Sequence, residues 1–253
     1  MQNDPDFIVV GPPRTGSTWL HKVLYNHKHI FVPNIKQLHY FDRDYVNKTK
    51  EEYLSHFHQK KTYHQSCGEI TPDYLSHKLY LKRISNDFPE IKIILIYRNP
   101  IDRAFSHYKV RKLCGKLKGK FVENFESDPF LMKNSLYGNH LENIMQNFSD
   151  KQILILDYSL IQNSPNRFIH HIEDFLNVDK SNIDENLLYK KVSQSSKSSI
   201  IKSFFSIKRL DIIGTRKEHL CNKDYEKLMD LIKSDHDKFK NLNSRLNSKS
   251  FNL

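Results

Sequence analysis

The eight residues Gly11–Thr18, with the sequence GPPRTGST, directly follow the apolar run Phe7–Val10. A short apolar run, a glycine loop and then apolar residues at helical spacing predict a buried strand, a tight turn and a helix that begins near Ser17. The backbone N–H groups of such a turn point at an anion, and the helix dipole adds to the attraction. The segment therefore predicts a phosphate site at the end of a strand.

Strands and helices alternate along the rest of the chain. Ile91–Tyr97 and Gln152–Asp157 are apolar runs rich in isoleucine and leucine, and a helical pattern over about 166–176 follows the second run. Uniformly apolar strands indicate a parallel sheet that is covered on both faces. We also expect a loop over 193–203 and a last amphipathic helix from about Lys223 to Phe239. The predicted fold class is α/β, a three-layer sandwich with a central parallel sheet flanked by helices.

Length and composition bound the class of protein. The chain has 253 residues, of which 38% are hydrophobic and 27% charged, and we expect one globular domain over 1–253. No apolar run reaches the roughly 20 residues that a membrane helix needs. The N-terminal residues lack a signal-peptide pattern, and the three cysteines lie far apart. We therefore expect a reduced, cytoplasmic protein without a membrane span.

A net charge of +11 indicates an anionic partner. Nucleic acid, an anionic glycan, a membrane surface and a phosphorylated cofactor all fit such a charge. No zinc finger and no aromatic RNA-binding motif accompanies it, so we do not expect nucleic acid. The basic stretch Lys109–Lys120 is interpreted either as a solvated helix end or as a binding patch.

The phosphate loop lacks the lysine that a nucleotide triphosphatase carries directly after the second glycine, where this chain has Ser17. In those enzymes the lysine and a bound Mg²⁺ neutralise the transferred phosphoryl group. No strand clearly ends in an acidic residue for the metal, since Asp157 fits a turn equally well. A metal-dependent kinase or triphosphatase is therefore disfavoured, and Arg14 is the cation within the loop. An ordinary glycine turn is the alternative for the loop taken alone.

A second element follows the Ile91–Tyr97 run. Arg98 leaves the strand end, Asn99 and Pro100 are a favourable cap and first residue of a helix, and Ser106 lies about two turns into it. An arginine and a serine in this setting can converge on one phosphate. Taken in isolation, they fit a surface arginine and a helix serine.

The two elements resemble those of sulfotransferases that use 3′-phosphoadenosine 5′-phosphosulfate (PAPS). GPPRTGSTWL is similar to their 5′-phosphosulfate loop, and Arg98 with Ser106 to their 3′-phosphate element. Three more segments are similar to the heparan-sulfate-type and bacterial branch: Lys36–Asp42 (KQLHYFD), Gly68–Tyr74 (GEITPDY) and Ser135–Gly138 (SLYG). The resemblance covers roughly residues 7–177. It implies a P-loop-like fold. It also implies an enzyme that moves a sulfo group from PAPS, without a metal, to a hydroxyl or amine of a carbohydrate or small-molecule acceptor.

The resemblance also implies the site residues. Arg14 would stabilise the leaving oxygen, the loop would hold the 5′-phosphate, and Arg98 with Ser106 would hold the 3′-phosphate of PAPS and of the product, adenosine 3′,5′-bisphosphate (PAP). A tail segment near Arg216 falls where the family contacts the nucleotide. The predicted cofactor-binding residues are Arg14, Thr15, Gly16, Ser17, Thr18, Trp19, Arg98, Ser106, Arg216 and Lys217.

Gln37 stands where this branch has its catalytic glutamate, and an amide is not a useful base. In one hypothesis His39 is the base, because an imidazole works near neutral pH, although a packed histidine fits as well. In another, Glu69 or Asp73 takes the role, or the acceptor needs little help. In a third, the protein binds PAPS and transfers poorly or not at all. The predicted catalytic residues are Arg14, Gln37, His39 and Glu69.

Ile70 is a second departure from the branch, which often has lysine at this position. It lies on the acceptor side of the motif, so the class of acceptor stays open.

Overall fold

Five parallel strands form the centre of the computed structural model, which describes residues 4–189 and 220–250, the last three of these as backbone only. The spatial order of the strands is β2-β3-β1-β4-β5, and each neighbouring pair is parallel. The predicted α/β fold with a central parallel sheet is confirmed. The strands are β1 (Phe7–Val10), β2 (Ile30–Phe31), β3 (Ser66–Thr71), β4 (Lys92–Tyr97) and β5 (Ile153–Asp157).

Helices connect the strands and cover the sheet. Residues 4–189 also contain five short helical turns, over Tyr40–Asp44, Ser55–Phe57, Pro72–Ser76, Lys133–Ser135 and Asp150–Gln152. The helices of the described residues are α1 (Ser17–Tyr25), α2 (Lys50–Leu54), α3 (Lys78–Asp87), α4 (Pro100–Leu113), α5 (Phe121–Ser127), α6 (Pro129–Met132), α7 (Tyr137–Met145), α8 (Tyr158–Asn163), α9 (Pro165–Leu176), α10 (Glu185–Tyr189), α11 (Asn222–Leu231) and α12 (Lys233–Ser250).

The middle strand β1 shows why the apolar runs are continuous. Successive strand residues point to opposite faces, and all four residues of β1 are buried. Ile8 and Val10 join one core cluster with residues of α3 and α7, while Phe7 and Val9 join another with residues of α1 and α9. Helices thus cover both faces of the sheet, as the uniform runs predicted.

The predicted last helix over Lys223–Phe239 is wrong in one respect, because the chain forms two helices that meet at Ile232. The break lets two apolar surfaces pack in different places. Leu228 and Ile232 pack with residues of α4 and α5, whereas Phe239 stacks on Tyr97 at the end of β4, with ring centroids 4.6 Å apart. The predicted loop over 193–203 lies outside the described residues.

Strands β2 and β3 were not predicted from the sequence. β3 contains a glycine, a glutamate and a threonine, so it does not look like an apolar run, yet all six of its residues are buried. Among the helices that the structure describes, none combines the length and the apolar character needed to cross a membrane.

The end of β1 packs directly on the segment that follows β3. The Gly11 N–H donates to the Pro72 carbonyl over 3.0 Å. A Cβ at Gly11 would lie 2.4 Å from that same carbonyl oxygen, which a backbone atom cannot relieve by a side-chain movement. The phosphate loop and the GEITPDY segment are therefore held together by a contact that only glycine permits.

We expect Gly11→Ala to lower the free energy of unfolding by about 1–3 kcal/mol, because overpacking forces the backbone to shift. Urea denaturation followed by circular dichroism measures the change. Gly115→Ala is the control, since its new Cβ meets nothing within 4 Å and adds only the cost of a positive φ. Equal stability of wild type and Gly11→Ala would show that the contact is not required.

Candidate active site

The phosphate loop lies at the carboxyl edge of the sheet, between the end of β1 and the start of α1, where α/β folds bind their ligands. Its shape is fixed from inside: the buried Thr15 hydroxyl donates to the Pro12 carbonyl over 2.9 Å. Gly16 has φ +90°, and a Cβ there would lie 2.7 Å from Ile161. The first N–H groups of α1, which begins at Ser17, have no carbonyl partner one turn back, so they remain available to an anion.

Arg14, Arg98 and Ser106 meet at this edge. The Arg14 Nε donates to the Ser106 Oγ over 3.2 Å, and the Arg98 Nη1 donates to the Arg14 carbonyl over 2.8 Å. Burial and then the nearby Arg98 lower the pKa of Arg14. Within the described part of the chain, neither guanidinium has a carboxylate within 4.0 Å. Two cations and a hydroxyl that converge without an acid form a site that fits a phosphate.

The position of Arg98 is set by its neighbours at the end of β4. Its N–H donates to the Tyr137 hydroxyl over 3.2 Å, and its guanidinium lies 4.5 Å from the centre of the Tyr158 ring. Asn99 caps α4 by accepting hydrogen bonds from two N–H groups, as predicted. In the SLYG segment, the Ser135 hydroxyl donates to the Pro100 carbonyl over 3.1 Å. This segment therefore supports the strand end that carries Arg98.

Arg103 is a buried cation behind the site that sequence reasoning missed. It is fully buried, and its Nη2 donates to the Leu131 carbonyl and the Ser135 hydroxyl over 2.6 and 3.0 Å. Burial and then Arg98 lower its pKa to about 10, so it stays charged at neutral pH. Burial and then Arg103 lower the pKa of His107 to about 3, which keeps that ring neutral. The one signal in the sequence is the position of Arg103 three residues before Ser106, on the same helix face.

The predicted base Glu69 is buried beneath the acceptor side. Its carboxylate accepts hydrogen bonds from the Tyr53, Tyr74 and Thr71 hydroxyls over 2.9, 3.1 and 2.6 Å, and from the Leu38 N–H. Burial raises its pKa. Glu69 is 2% exposed, and both of its carboxylate oxygens already accept hydrogen bonds. This arrangement is unfavourable for a general base. It instead fixes the chain at Leu38.

Gln37 and His39 flank Leu38 in a strained loop. Four non-glycine residues of the described chain have positive φ, and three of them, Arg14, Gln37 and His39, lie at this edge of the sheet. Non-glycine residues in this region cost free energy and cluster at functional sites. The buried Glu69 stabilises the strained loop from below. The structure thus brings the two residues to the rim of the site.

The His39 ring is oriented by a carboxylate. Its Nδ1 lies 2.9 Å from the Asp42 Oδ2. His39, Asp42 and Asp73 also lie close enough together to share a metal ion. The Arg43 guanidinium already lies 3.7 Å from an oxygen of each aspartate and offsets their charge.

Lys36 links the acceptor side to the phosphate loop, and sequence reasoning gave it no role. Its Nζ donates to the Thr18 hydroxyl over 2.9 Å. Burial and then Arg14 lower the pKa of Lys36 to about 8, while Asp73 acts in the opposite direction. The signal for this residue was its place directly before Gln37 in the KQLHYFD segment.

The predicted cofactor-binding residue Trp19 has a different setting. Trp19 is 4% exposed, packs edge to face on Phe168, and its indole N–H donates to the Leu188 carbonyl over 3.0 Å. Its side chain belongs to the core, which leaves only its backbone N–H, in the first turn of α1, for a phosphate. Arg216 and Lys217 lie outside the described residues, so their predicted contact stays a prediction.

A parallel five-stranded sheet with a lysine-free phosphate loop, beside a second arginine on the next strand, defines an α/β protein suited to a phosphorylated ligand. The family model described as "Sulfotransferase domain" matches residues 4–243 of this chain. The chain therefore belongs to the sulfotransferase family, and the predicted family is confirmed. Members of this family use PAPS.

Several known proteins are similar to this chain, and the solved structures among them share its fold. The bifunctional heparan sulfate N-deacetylase/N-sulfotransferase 1 of Xenopus laevis is 26% identical over 194 residues, which cover 69% of this chain and 22% of that protein. This chain thus matches about a fifth of the length of that relative. A sulfotransferase from Alicyclobacillus acidocaldarius has a TM-score of 0.74 and 18% identity, covering 94% of this chain and 95% of that one. A mouse sulfotransferase complexed with PAP has a TM-score of 0.56 and 15% identity, covering 96% and 89%.

We expect Arg98→Met to weaken PAP binding by about 10–100-fold, the loss typical of a charge-assisted hydrogen bond. Adenosine 5′-phosphosulfate lacks the 3′-phosphate, so its affinity falls much less in the same variant. Isothermal titration calorimetry with both nucleotides measures the difference. Arg167→Met, at an exposed position in α9, is the matched control. Equal losses for the two nucleotides would contradict the assignment of Arg98 to the 3′-phosphate.

Proposed function

We propose that this chain transfers the sulfo group of PAPS to a hydroxyl or amine of a carbohydrate or small-molecule acceptor, without a metal. The convergence of Arg14, Arg98 and Ser106 carries this proposal, because it places two cations and a hydroxyl across two neighbouring strand ends. No carboxylate of residues 4–189 or 220–247 lies within 4.0 Å of either guanidinium. Family membership supports the reaction class. The acceptor and the catalytic residues rest on the chemistry of the side chains.

PAPS supplies the sulfo group, and its phosphate takes the electron pair when the bond from sulfur to the bridging oxygen breaks. The loop N–H groups and the Ser17 and Thr18 hydroxyls would hold the 5′-phosphate. Arg98 and Ser106 would hold the 3′-phosphate by charge-assisted and neutral hydrogen bonds. The cations around the loop would stabilise the charge that develops during the transfer.

His39 is the base that the geometry favours. Asp42 accepts a hydrogen bond when the proton of the neutral ring is on Nδ1, and this leaves Nε2 free to accept a proton. The acceptor O–H or N–H would give its proton to Nε2 while its heavy atom forms the new bond to sulfur. Gln37, beside it in the same loop, would orient the acceptor through its amide.

An anionic carbohydrate fits the charge of the molecule. The described surface near the acceptor side carries Arg43, whose side chain is 63% exposed. In the basic stretch, Lys109, Lys116 and Lys120 are exposed, while Arg111 donates to Asp128 over 2.9 Å. The relative from Xenopus laevis is named for heparan sulfate, which is such a glycan. The single domain over 1–253, the cytoplasmic location and the absence of nucleic acid as a partner stay predictions.

A protein that binds PAPS or PAP without transfer is the second candidate, and Gln37 in place of the expected glutamate favours it. The two candidates differ in one respect. If the chain is an enzyme with His39 as its base, it loses activity when His39 is changed. If it binds the nucleotide without transfer, it gains activity when Gln37→Glu restores the carboxylate.

We expect His39→Ala to lower kcat by about 10²–10⁴-fold, the usual contribution of a general base, with little change in PAP affinity. Transfer of ³⁵S from labelled PAPS to a panel of sulfated and unsulfated oligosaccharides measures it. His58→Ala, at an exposed position, is the control. An unchanged rate in His39→Ala would remove His39 from the mechanism. A wild type without transfer to any acceptor, rescued by Gln37→Glu, would favour the binding protein.

A further inference from the structure

The segment that carries Lys36 is docked on α1 by two side chains, one helical turn apart. The His21 Nε2 donates to the Pro33 carbonyl over 2.9 Å, and the Thr18 hydroxyl accepts a hydrogen bond from the Lys36 Nζ over 2.9 Å. Thr18 is the last residue of the phosphate-loop motif GPPRTGST. The lysine side chain therefore ends at the phosphate loop although it belongs to a different segment of the chain.

Lys36 faces one cation, one carboxylate and a histidine whose pKa is lowered by burial. Arg14 lies on the loop, His21 lies on α1 and Asp73 follows β3, and each of them interacts with Lys36. Asp73 also lies 3.7 Å from the Arg43 guanidinium, so its charge is shared. A partly buried ammonium group between a guanidinium and a shared carboxylate has too little negative charge around it. An anion in the loop would supply that charge.

The loop has Ser17 where a triphosphatase has its lysine, and Ser17 is itself only 8% exposed. The Lys36 ammonium bonds to the very next residue, Thr18. Arg14, the cation within the loop, is bonded on its Nε to Ser106, the residue predicted for the 3′-phosphate. Lys36 thus contacts the phosphate loop, whereas Arg14 contacts the residue predicted to hold the 3′-phosphate.

We propose that Lys36 is the lysine of this phosphate site, supplied from outside the loop, and that it contacts the phosphosulfate end of PAPS. It neutralises the charge that grows on the leaving phosphate oxygen as the sulfo group moves to the acceptor. This inference rests on the proposed function. It assigns to Lys36 the part that the sequence pattern gave to Arg14.

Binding has a pH signature if Lys36 meets the anion. An anion favours the charged ammonium and raises the pKa of Lys36 from about 8. The contribution of Lys36 to affinity is then complete below pH 8 and is lost as the pH rises through the higher pKa of the complex. At pH 8 the free protein holds this proton in roughly half of the molecules, so PAP binding takes up roughly half a proton.

Calorimetric titration of PAP at pH 8, in buffers of different ionisation enthalpy, measures the proton uptake directly. The phosphates of PAP are already ionised at this pH, since their second pKa lies near 6. We expect uptake in the wild type and in Lys22→Met, an exposed lysine of α1. In Lys36→Arg, which keeps the charge but does not titrate here, PAP binds without proton uptake. In Lys36→Met, PAP affinity at pH 7 falls about tenfold, and kcat falls about a hundredfold.

The outcomes separate this inference from the proposed function. Failure of the wild type to bind PAP at all contradicts the proposed function itself. PAP binding that is unchanged in Lys36→Met, with the same proton uptake in Lys36→Arg as in the wild type, overturns the role of Lys36 and leaves the proposed function intact. Circular dichroism of each variant confirms that it is folded.

Discussion

The guanidinium groups of Arg14 and Arg98 are held close together, and no carboxylate of the described chain pairs with either of them. The two positive charges repel each other, and the surrounding residues must offset this repulsion. Arg98 is braced by the Arg14 carbonyl, the Tyr137 hydroxyl and the Tyr158 ring. The buried Arg103 adds a third positive charge behind them. Like charges disfavour each other, so a fold retains such a group only where an anion or firm packing compensates. Here the strand ends supply the packing and leave the anion to be bound.

A second buried charge supports the acceptor side. Glu69 is enclosed by three hydroxyls and the Leu38 N–H, and the loop above it carries Gln37 and His39 with positive φ. Removing a buried carboxylate from such a network costs far more than its net stabilisation. Glu69 thus joins the GEITPDY segment to the neighbouring loop at Leu38.

The strand and loop at Phe7–Thr18 and the helix cap at Asn99 could be read from the sequence, because local propensity and tertiary structure agree there. β3 could not be predicted, since its buried Glu69 interrupts the apolar pattern and is stabilised in part by Tyr53 and the Leu38 N–H, which lie far from it in the chain.

For the site, the sequence predicted that the GPPRTGST loop and the Arg98 turn lie at the same edge, because both segments leave parallel strands there. The hydrogen bond from Arg14 to Ser106 was not predicted. The parts played by Lys36 and Arg103 could not be predicted. Each depends on a contact between segments far apart in the chain, such as Lys36 with Thr18 and Arg103 with Leu131. Periodicity carries no information about such contacts. Trp19 was assigned to the cofactor by its place in the motif, whereas its side chain completes the core.

Binding of a nucleotide bisphosphate without a metal is what the cations at this edge are expected to provide. Titration of PAP into the protein in EDTA, with equimolar ATP as competitor, tests it most directly. We expect saturable binding at one site per chain that EDTA does not weaken and ATP does not displace. Binding that requires Mg²⁺ and prefers ATP would contradict metal-free binding of a bisphosphate. It would instead indicate a site of the kind that nucleotide triphosphatases have.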